Sequence, residues 1–373
     1  MNDCSPSPEG PPNVTVSGKP RRALLGLDTA GLEALSREMG QPAYRGRQLA
    51  DWLYRKRATS LEAMGNLPRA FRDSLEAAAT VGAPRVLHVT EAPDRTTKFL
   101  LAMDDGARVE TVLLPYPDRS TVCVSTQVGC AAGCVFCATA TMGFTRNLTA
   151  GEMTGQVLAG SSALEKASWR DELNPAGRRV SHVVFMGMGE PMWNLANVVA
   201  AVRLLNEEVG IGMRNITIST VGIPDAMREL GTRRLQLTLA VSLHAGTEAT
   251  RRALVPTARK HTMDEVLGAA RDYFGLTGRR VTYEYVVLGG VNDTETEARA
   301  LADRLKGEPA HVNLIPWNPA LSKQRFGPPL AADIRRFRAI LEEAGVVVTQ
   351  RFERGAGIAA ACGQLAVSEP GAA

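Results

Sequence analysis

Cys130-Ala131-Ala132-Gly133-Cys134-Val135-Phe136-Cys137 sets three thiols within eight residues. Thiolates are soft ligands, and a short loop that presents three of them suits zinc or an iron–sulfur cluster. A closed site takes four thiolates, or a histidine in place of one, and this run stops at three. No second CxxC and no nearby HxxxH completes a zinc finger, although Cys123 lies just upstream with a fourth sulfur. Two readings stand on spacing alone. One is a structural zinc site closed by Cys123. The other is a 4Fe–4S cluster on three cysteines, with one iron left to bind a small molecule.

Outward from this loop the chain alternates strand and helix. Residues 121–128 read as a strand that feeds the cysteines, and a helix follows at about 149–162. Residues 165–178, polar with Pro and Gly, read as an excursion loop. Further strands are expected at 180–185, 215–220, 235–242, 281–288, 311–315 and 346–350, with helices at 197–208, 263–274, 294–305 and 331–344. Repeated β–α units imply a parallel sheet with right-handed crossovers. Polar or Gly-rich signatures recur where the strands end. They are the cysteine loop, Gly187-Met188-Gly189-Glu190-Pro191, Ser219-Thr220, Ser242-Leu243-His244, Gly289-Gly290 and Trp317-Asn318-Pro319. On a β/α barrel that rim gathers ligands, whereas a doubly wound sheet concentrates its site at one switch point. The fold class expected is therefore α/β, a partial parallel (β/α) barrel.

Before the barrel, residues 85–117 read as strand-like. Strands at 97–103 and 107–114 flank Asp104-Asp105-Gly106, which supplies the positive φ that a hairpin turn needs. Glu110 falls in the second strand, where periodicity alone makes it a solvent-facing carboxylate. Residues 21–84 read as three helices, with Trp52 and Phe71 needed inside so small a unit. Ten Lys/Arg stand against five Asp/Glu between Arg21 and Arg72, while the whole chain carries only +4. Arg45, Arg47, Arg55 and Lys56 are a solvated face or a phosphate-binding one, and a basic unit on a neutral body is what recruitment of a polyanion looks like. Residues 1–20, rich in Pro, Ser and Gly, have no apolar core of a secretory signal and read as a disordered tail, with Cys4 a bystander. No apolar run reaches the roughly 18 residues that span a membrane. Clustered cysteines argue for metal binding in a reducing, cytoplasmic setting, and a monomer is expected.

"GMGEP" at 187–191 is not the dinucleotide fingerprint, which needs a further Gly and a helix directly behind it. Its glycines would let backbone approach a ligand, and Glu190 could take an ammonium group. Ser242 and His244 alternate on a strand end and can face one cavity. No nucleophile elbow accompanies His244, so hydrolase chemistry has no support. Cys362 sits among alanines and glycines, in a segment able to bring a thiol across a barrel mouth.

The cysteine loop resembles that of the radical S-adenosylmethionine (AdoMet) enzymes, in which the amino and carboxylate groups of AdoMet occupy the open iron. "GFTRNLTAGE" at 143–152, "GMGEP", "ISTVG" at 218–222, "AVSLHA" at 240–245, "NLIPWNP" at 313–319 and "AACGQL" at 360–365 extend the likeness. In order and spacing they are similar to the RlmN-type adenine-C2 RNA methyltransferases. The match runs from about residue 23 to 366 and takes in "YRGRQLADWLY" at 44–54.

The resemblance implies a radical SAM partial barrel carrying a 4Fe–4S cluster on Cys130, Cys134 and Cys137, with AdoMet on the fourth iron. Gly189, Glu190, Ser219, Ser242, Leu243, His244 and Asn318 match AdoMet-contacting positions. Cys362 would take a methyl from one AdoMet, and a second would yield the radical that removes hydrogen from that S-methyl group. The carbon would then add to C2 of an adenine in 23S rRNA or tRNA, unstacked into the barrel mouth. Cys123 would pair transiently with Cys362 to release product; Glu110 matches the family's proton acceptor, against its bland reading, and Cys123 is the other group that could take that proton. An external electron donor such as flavodoxin or ferredoxin is implied. The boundaries expected are a tail at 1–20, a basic RNA-binding unit at 21–84, a hairpin linker at 85–117, the barrel at 118–352 and the Cys362 segment at 353–373.

Two departures stand out. Gly357 and Ala359 replace Asp residues usual in the family, and "VPTARK" at 255–260 lacks a common Asn. The competing readings are a Cfr-type adenine-C8 methyltransferase and a zinc-stabilised RNA-binding protein without catalysis.

Overall fold

The structure is a computed structural model that describes residues 21–169, 179–317, 326–351 and 354–367. At its N-terminus a parallel pair, β1 (Arg22–Ala23) with β2 (Ala79–Thr80), brackets three helices. These are α1 (Thr29–Glu38), capped by the Asp28 carboxylate on Gly31 N at 2.7 Å, α2 (Tyr44–Ala50), prolonged by a π-turn at Asp51–Arg55, and α3 (Arg69–Ala78). Leu32, Leu49, Leu53, Phe71 and Leu75 fill the space between them. Trp52 is only half-buried: Lys56 Nζ lies 4.0 Å from its ring centroid, and its indole N–H donates to Asn66.

The hairpin is as read: β4 (Thr97–Ala102) runs antiparallel to β5 (Arg108–Pro115), after β3 (Arg85–Glu91) on the outer edge. It also belongs to the main sheet. β5 pairs antiparallel with β6 (Ser120–Cys123), so these three strands prolong the barrel sheet itself.

The strand expected over 121–128 is broken. After β6 the backbone leaves the sheet at Ser125, whose N–H goes to the Gln156 side chain, and re-forms as β7 (Gln127–Gly129). That strand pairs antiparallel with β8 (Phe144–Asn147), so a small ribbon frames the cysteine loop. The main sheet continues in parallel through β9 (Val180–Phe185), β10 (Ile216–Thr220), β11 (Thr238–Ser242), β12 (Val281–Val287), β13 (Ala310–Pro316) and β14 (Val347–Gln350). Its order among the described residues is β14-β13-β12-β11-β10-β9-β6-β5-β4-β3, ten strands whose two ends do not pair there, hence a partial barrel.

Helices Ala150–Lys166 and Met263–Thr277 start in full capping boxes, Thr149/Glu152 and Thr262/Glu265. Helices Pro224–Thr232 and Glu248–Leu254 went unread because each is about two turns long and gives little periodicity to detect. The strands bury Val183, Ile218, Leu239, Tyr285 and Leu314 completely. Ser242, Glu284, Asn313 and Thr349 are in register on adjacent strands. In-register neighbours share a face, so a polar ribbon crosses the barrel wall.

Candidate active site

The cysteine loop is fixed by backbone bonds on both flanks. Cys130 N–H donates to Gly143 O at 2.7 Å, Val135 N–H to Leu254 O at 3.0 Å and Cys137 N–H to Cys134 O at 3.1 Å. Gly129 enters the loop at φ +75°, and a Cβ there would overlap the Gly143 carbonyl. The loop also packs against the departure at 255–260: Thr257 Oγ1 donates to Ala132 O at 3.2 Å, and Pro256 lies beside Gly133.

Cys130, Cys134 and Cys137 line one wall of a cavity of about 1020 Å³, measured out to its open mouth. Gly189, Glu190, Ser219, Ser242 and His244 line it too, and so does Cys362, from the far end of the chain. Leu243 is fully buried behind the wall, and Glu110 and Cys123 also lie off it. Asn318 falls outside the described residues.

Each rim group has a physical reason for its place. Gly189 adopts φ +101° with its α-carbon against the Gln127 backbone, a turn that a side chain would block. The turn puts Glu190 inside: its N–H goes to Gln127 Oε1 at 2.8 Å, while its carboxylate accepts Met192 N at 2.9 Å and Val221 N at 2.8 Å. Burial nonetheless raises its pKa to about 7, so a cationic partner would be needed to hold it fully ionised. Ser219 and Ser242 bring their hydroxyls within 3.4 Å of one another. His244 takes φ +58° and accepts Val286 N–H on Nδ1 at 3.0 Å. Burial lowers its pKa to about 3. It is therefore the neutral tautomer with its proton on Nε2.

The Cys362 segment is docked, not loose. Ala138 N–H donates to Gly363 O at 2.7 Å, directly after the last loop cysteine, and Thr139 Oγ1 donates to Leu365 O at 2.6 Å. Arg354 reaches the hairpin end, donating to Asp94 and Pro115 O and stacking on Tyr116 at 4.7 Å. Glu110, far from solvent-facing, is buried. It pairs with Lys98 Nζ at 2.9 Å and accepts Ala366 N–H at 3.0 Å, while Lys98 also donates to Ala359 O at 3.4 Å. Burial raises the Glu110 pKa against the pull of Lys98. Gly357 meets open space, but Ala359 is held at φ +52° in the left-handed region, which Asp or Asn tolerates better than Ala.

Cys123 and Cys362 are both free thiols. No disulfide joins the two in this structure. Burial pushes the Cys123 thiol up to about 12.

A metal centre fits the loop. Burial pushes Cys130 up to about 12 and Cys134 up as well; thiols so placed ionise only against a cation. Among the described residues no three His, Cys, Asp or Glu side chains converge tightly enough for one shared ion. Zinc at about 2.3 Å from each sulfur would need the thiolates within about 3.8 Å of one another. A cluster, with each cysteine on its own iron, takes a wider set.

The four basic candidates on the N-terminal unit are not equally available. Arg47 pairs with Glu33 at 2.6 Å, Lys56 with Asp51 at 3.0 Å, and Arg45 donates to Gln48 and Asn66. Arg55 is exposed. Sequence reasoning missed Glu284 and Arg351, which also line the cavity. The available signal was a lone carboxylate inside the apolar strand Val281–Val287, a costly place unless it is paired.

This partial barrel with a three-cysteine loop on its rim is that of the radical SAM superfamily, whose family model matches residues 124–301. Residues 22–81 match the ribosomal RNA large subunit methyltransferase N-terminal domain. The chain is 46% identical over 345 residues, 92% of its length and 95% of the other's, to a Synechocystis sp. protein named "Probable dual-specificity RNA methyltransferase RlmN". A protein of the same name from Thermosynechococcus vestitus is 46% identical over 342 residues, 92% of this chain and 97% of that one. The crystal structure of a radical SAM methyltransferase from Sphaerobacter thermophilus superposes with a TM-score of 0.87 at 45% identity, covering 92% of this chain and 99% of that one. The chain belongs to the RlmN family.

Proposed function

We propose that this radical SAM RNA methyltransferase methylates C2 of an adenosine in 23S rRNA and in tRNA, through S-methylated Cys362 and with two AdoMet molecules. The observation that carries the reading is one cavity lined at once by Cys130, Cys134, Cys137 and Cys362. A thiol distant in sequence from the cysteine loop thus shares one cavity with it, as methyl transfer from an AdoMet bound there would require.

Cys130, Cys134 and Cys137 would hold the 4Fe–4S cluster, and Glu190, Ser219, Ser242 and His244 would receive AdoMet, with Asn318 a further contact. Glu190 suits the ammonium group, because a cation offsets the burial that now raises its pKa. His244 offers its Nε2–H as a donor. The bound cluster and AdoMet supply a one-electron reductive cleavage whose carbon radical can remove hydrogen from an S-methyl group. Cys362 first displaces the methyl from the sulfonium: the new S–CH₃ bond forms as the old one breaks, and a neutral thioether leaves. Cys362 later presents the activated carbon to adenine C2, a position that polar methylation does not attack.

The C2 proton goes to Glu110 or to Cys123: burial makes Glu110 a stronger base than a surface carboxylate, and Cys123 is also the partner thiol needed to free the product. Arg45, Arg47, Arg55 and Lys56 would steer RNA phosphates, and a flavodoxin- or ferredoxin-like donor would bring the electron. No helix among the described residues is long and apolar enough to cross a membrane.

Nucleoside mass spectrometry of RNA treated with the reconstituted enzyme tests the reading. 2-Methyladenosine is the expected product; 8-methyladenosine would transfer the chain to the Cfr type. A protein purified without oxygen that holds one zinc and no iron would end the radical reading altogether.

A further inference from the structure

β11 and β12 pair in register as far as Ser242 opposite Glu284, where Leu243 N–H still donates to Glu284 O at 3.0 Å. Two residues on, Val286 turns to the same side. A regular parallel ladder would spend its N–H and its carbonyl on main-chain groups of the neighbouring strand. Here both go to side chains. His244 Nδ1 takes the Val286 N–H at 3.0 Å, and Asn292 Nδ2 donates to Val286 O at 2.8 Å. The second N–H of that amide goes to His244 O, also at 2.8 Å, and its Oδ1 accepts Leu288 N–H at 2.7 Å. Asn292 is fully buried off the cavity wall, and Tyr285 Oη donates to its own carbonyl at 2.7 Å. Two carbonyls and one N–H call for two donors and an acceptor on one short side chain, which is what an asparagine amide offers. The residue it grips, His244, sits at φ +58°, a backbone state that persists only where its surroundings over-determine it. Phe136, from the cysteine loop, meets the same ring edge-on, with centroids 4.7 Å apart.

We propose that Asn292 is a positioning residue for AdoMet. It replaces a rung that the ladder loses after Ser242 and clasps His244 in its left-handed turn. The imidazole is thereby left one orientation, with Nδ1 on Val286 and Nε2–H free for a ligand in the cavity. This rests on the reading of His244 as an AdoMet contact. Asn292 itself touches neither the ligand nor the reacting atoms, and it acts through the His244 ring alone.

The test is a double-mutant cycle on the full-length, cluster-loaded and unreduced enzyme, read as the Kd of AdoMet by equilibrium dialysis. Every chain in it carries Cys362→Ala, so that no methyl is consumed. Asn292→Asp keeps the shape and the bond to Leu288 but turns an acceptor toward the two carbonyls, and it should raise Kd about tenfold. His244→Ala should raise it by at least as much. Once the ring is gone, adding Asn292→Asp should change Kd by less than about twofold, because nothing is left for it to act through. Asn292→Ala carries the same expectation should the aspartate variant fail to fold or to load iron. Losses that add in the double variant would overturn the clasp, since a general loosening of the fold does not need the ring. An unchanged Kd in the Asn292 variants would overturn it too, and either result leaves His244 its role. A His244→Ala enzyme that binds AdoMet as tightly as the parent would instead defeat the reading of His244 as a contact, and the proposal with it.

Discussion

The two walls of the cavity are built on opposite principles. The cysteine loop is held by main-chain bonds to Gly143 and Leu254 and framed by its own ribbon, β7 with β8. The Cys362 segment takes one main-chain bond from the loop, Ala138 N–H to Gly363 O, and is otherwise clasped by side chains: Arg354 on Asp94, Thr139 on Leu365, Glu110 on Ala366. A metal centre must keep its geometry through every turnover, whereas a group-carrying thiol must travel. Main-chain frames suit the first need, and exchangeable side-chain clasps suit the second.

Removing a sulfur from each wall separates them most sharply. Cys362→Ala should abolish methylation while the cluster's visible absorption and iron content stay at wild-type levels. Cys134→Ala should lose both. A Cys362→Ala enzyme that still turned over would mean that the Cys362 wall carries no methyl. Loosening a clasp is gentler. Arg354→Ala detaches the segment from Asp94, Pro115 and Tyr116 and should lower kcat/KM about tenfold to a hundredfold through misplacement of the thiol, with iron content unchanged. Unaltered kcat/KM would show that the segment docks without it.

The cysteine-loop wall was far more legible in the sequence than the Cys362 wall. Three thiols at CxxxCxxC spacing and Gly-rich strand ends point to a barrel rim because each is local: a short stretch fixes both chemistry and placement. The Cys362 wall depends on groups 94 to 110 and 354 to 366, about 260 residues apart, and no periodicity reports such a pairing. Glu110 shows the difficulty. On its strand it reads as solvent-facing beside Arg108, and only the return of the C-terminal segment, with Ala366 N–H and Lys98, buries it. Arg351 and Glu284 were hidden likewise, since their meaning lies in a cross-strand contact. The break after β6 was missed because residues 121–128 keep strand-like composition while Gln156 draws Ser125 out of the sheet.

The cysteine-loop wall should also carry a distinct pH dependence. Glu190 has its folded pKa raised by burial to about 7, against 4.5 for a free glutamate carboxyl. The folded state thus binds the proton more tightly, so this contribution is full below about pH 4.5 and is lost as pH rises through 7. Glu190→Gln should flatten the ligand-free stability profile across that window relative to wild type, by up to about 1.4 kcal/mol per pH unit. Urea melts at pH 5, 6 and 7 measure it. Parallel profiles for the two proteins would mean that Glu190 is ionised in the free enzyme.

The smallest expected effect lies on the Cys362 wall, at Ala359. Its φ of +52° costs an alanine about 1–2 kcal/mol, and glycine is free of that strain. Glycine gives back about 0.5–1 kcal/mol in chain entropy on ordering, so Ala359→Gly should tighten the docked segment by about half a kcal/mol. Amide hydrogen exchange over 354–367 should then slow about twofold, with no change in the cysteine loop. The same substitution at an ordinary right-handed position would speed exchange, which makes the sign diagnostic. Faster exchange in Ala359→Gly would mean that the segment is not held in the left-handed turn at all, and that its docking rests on the side-chain clasps alone.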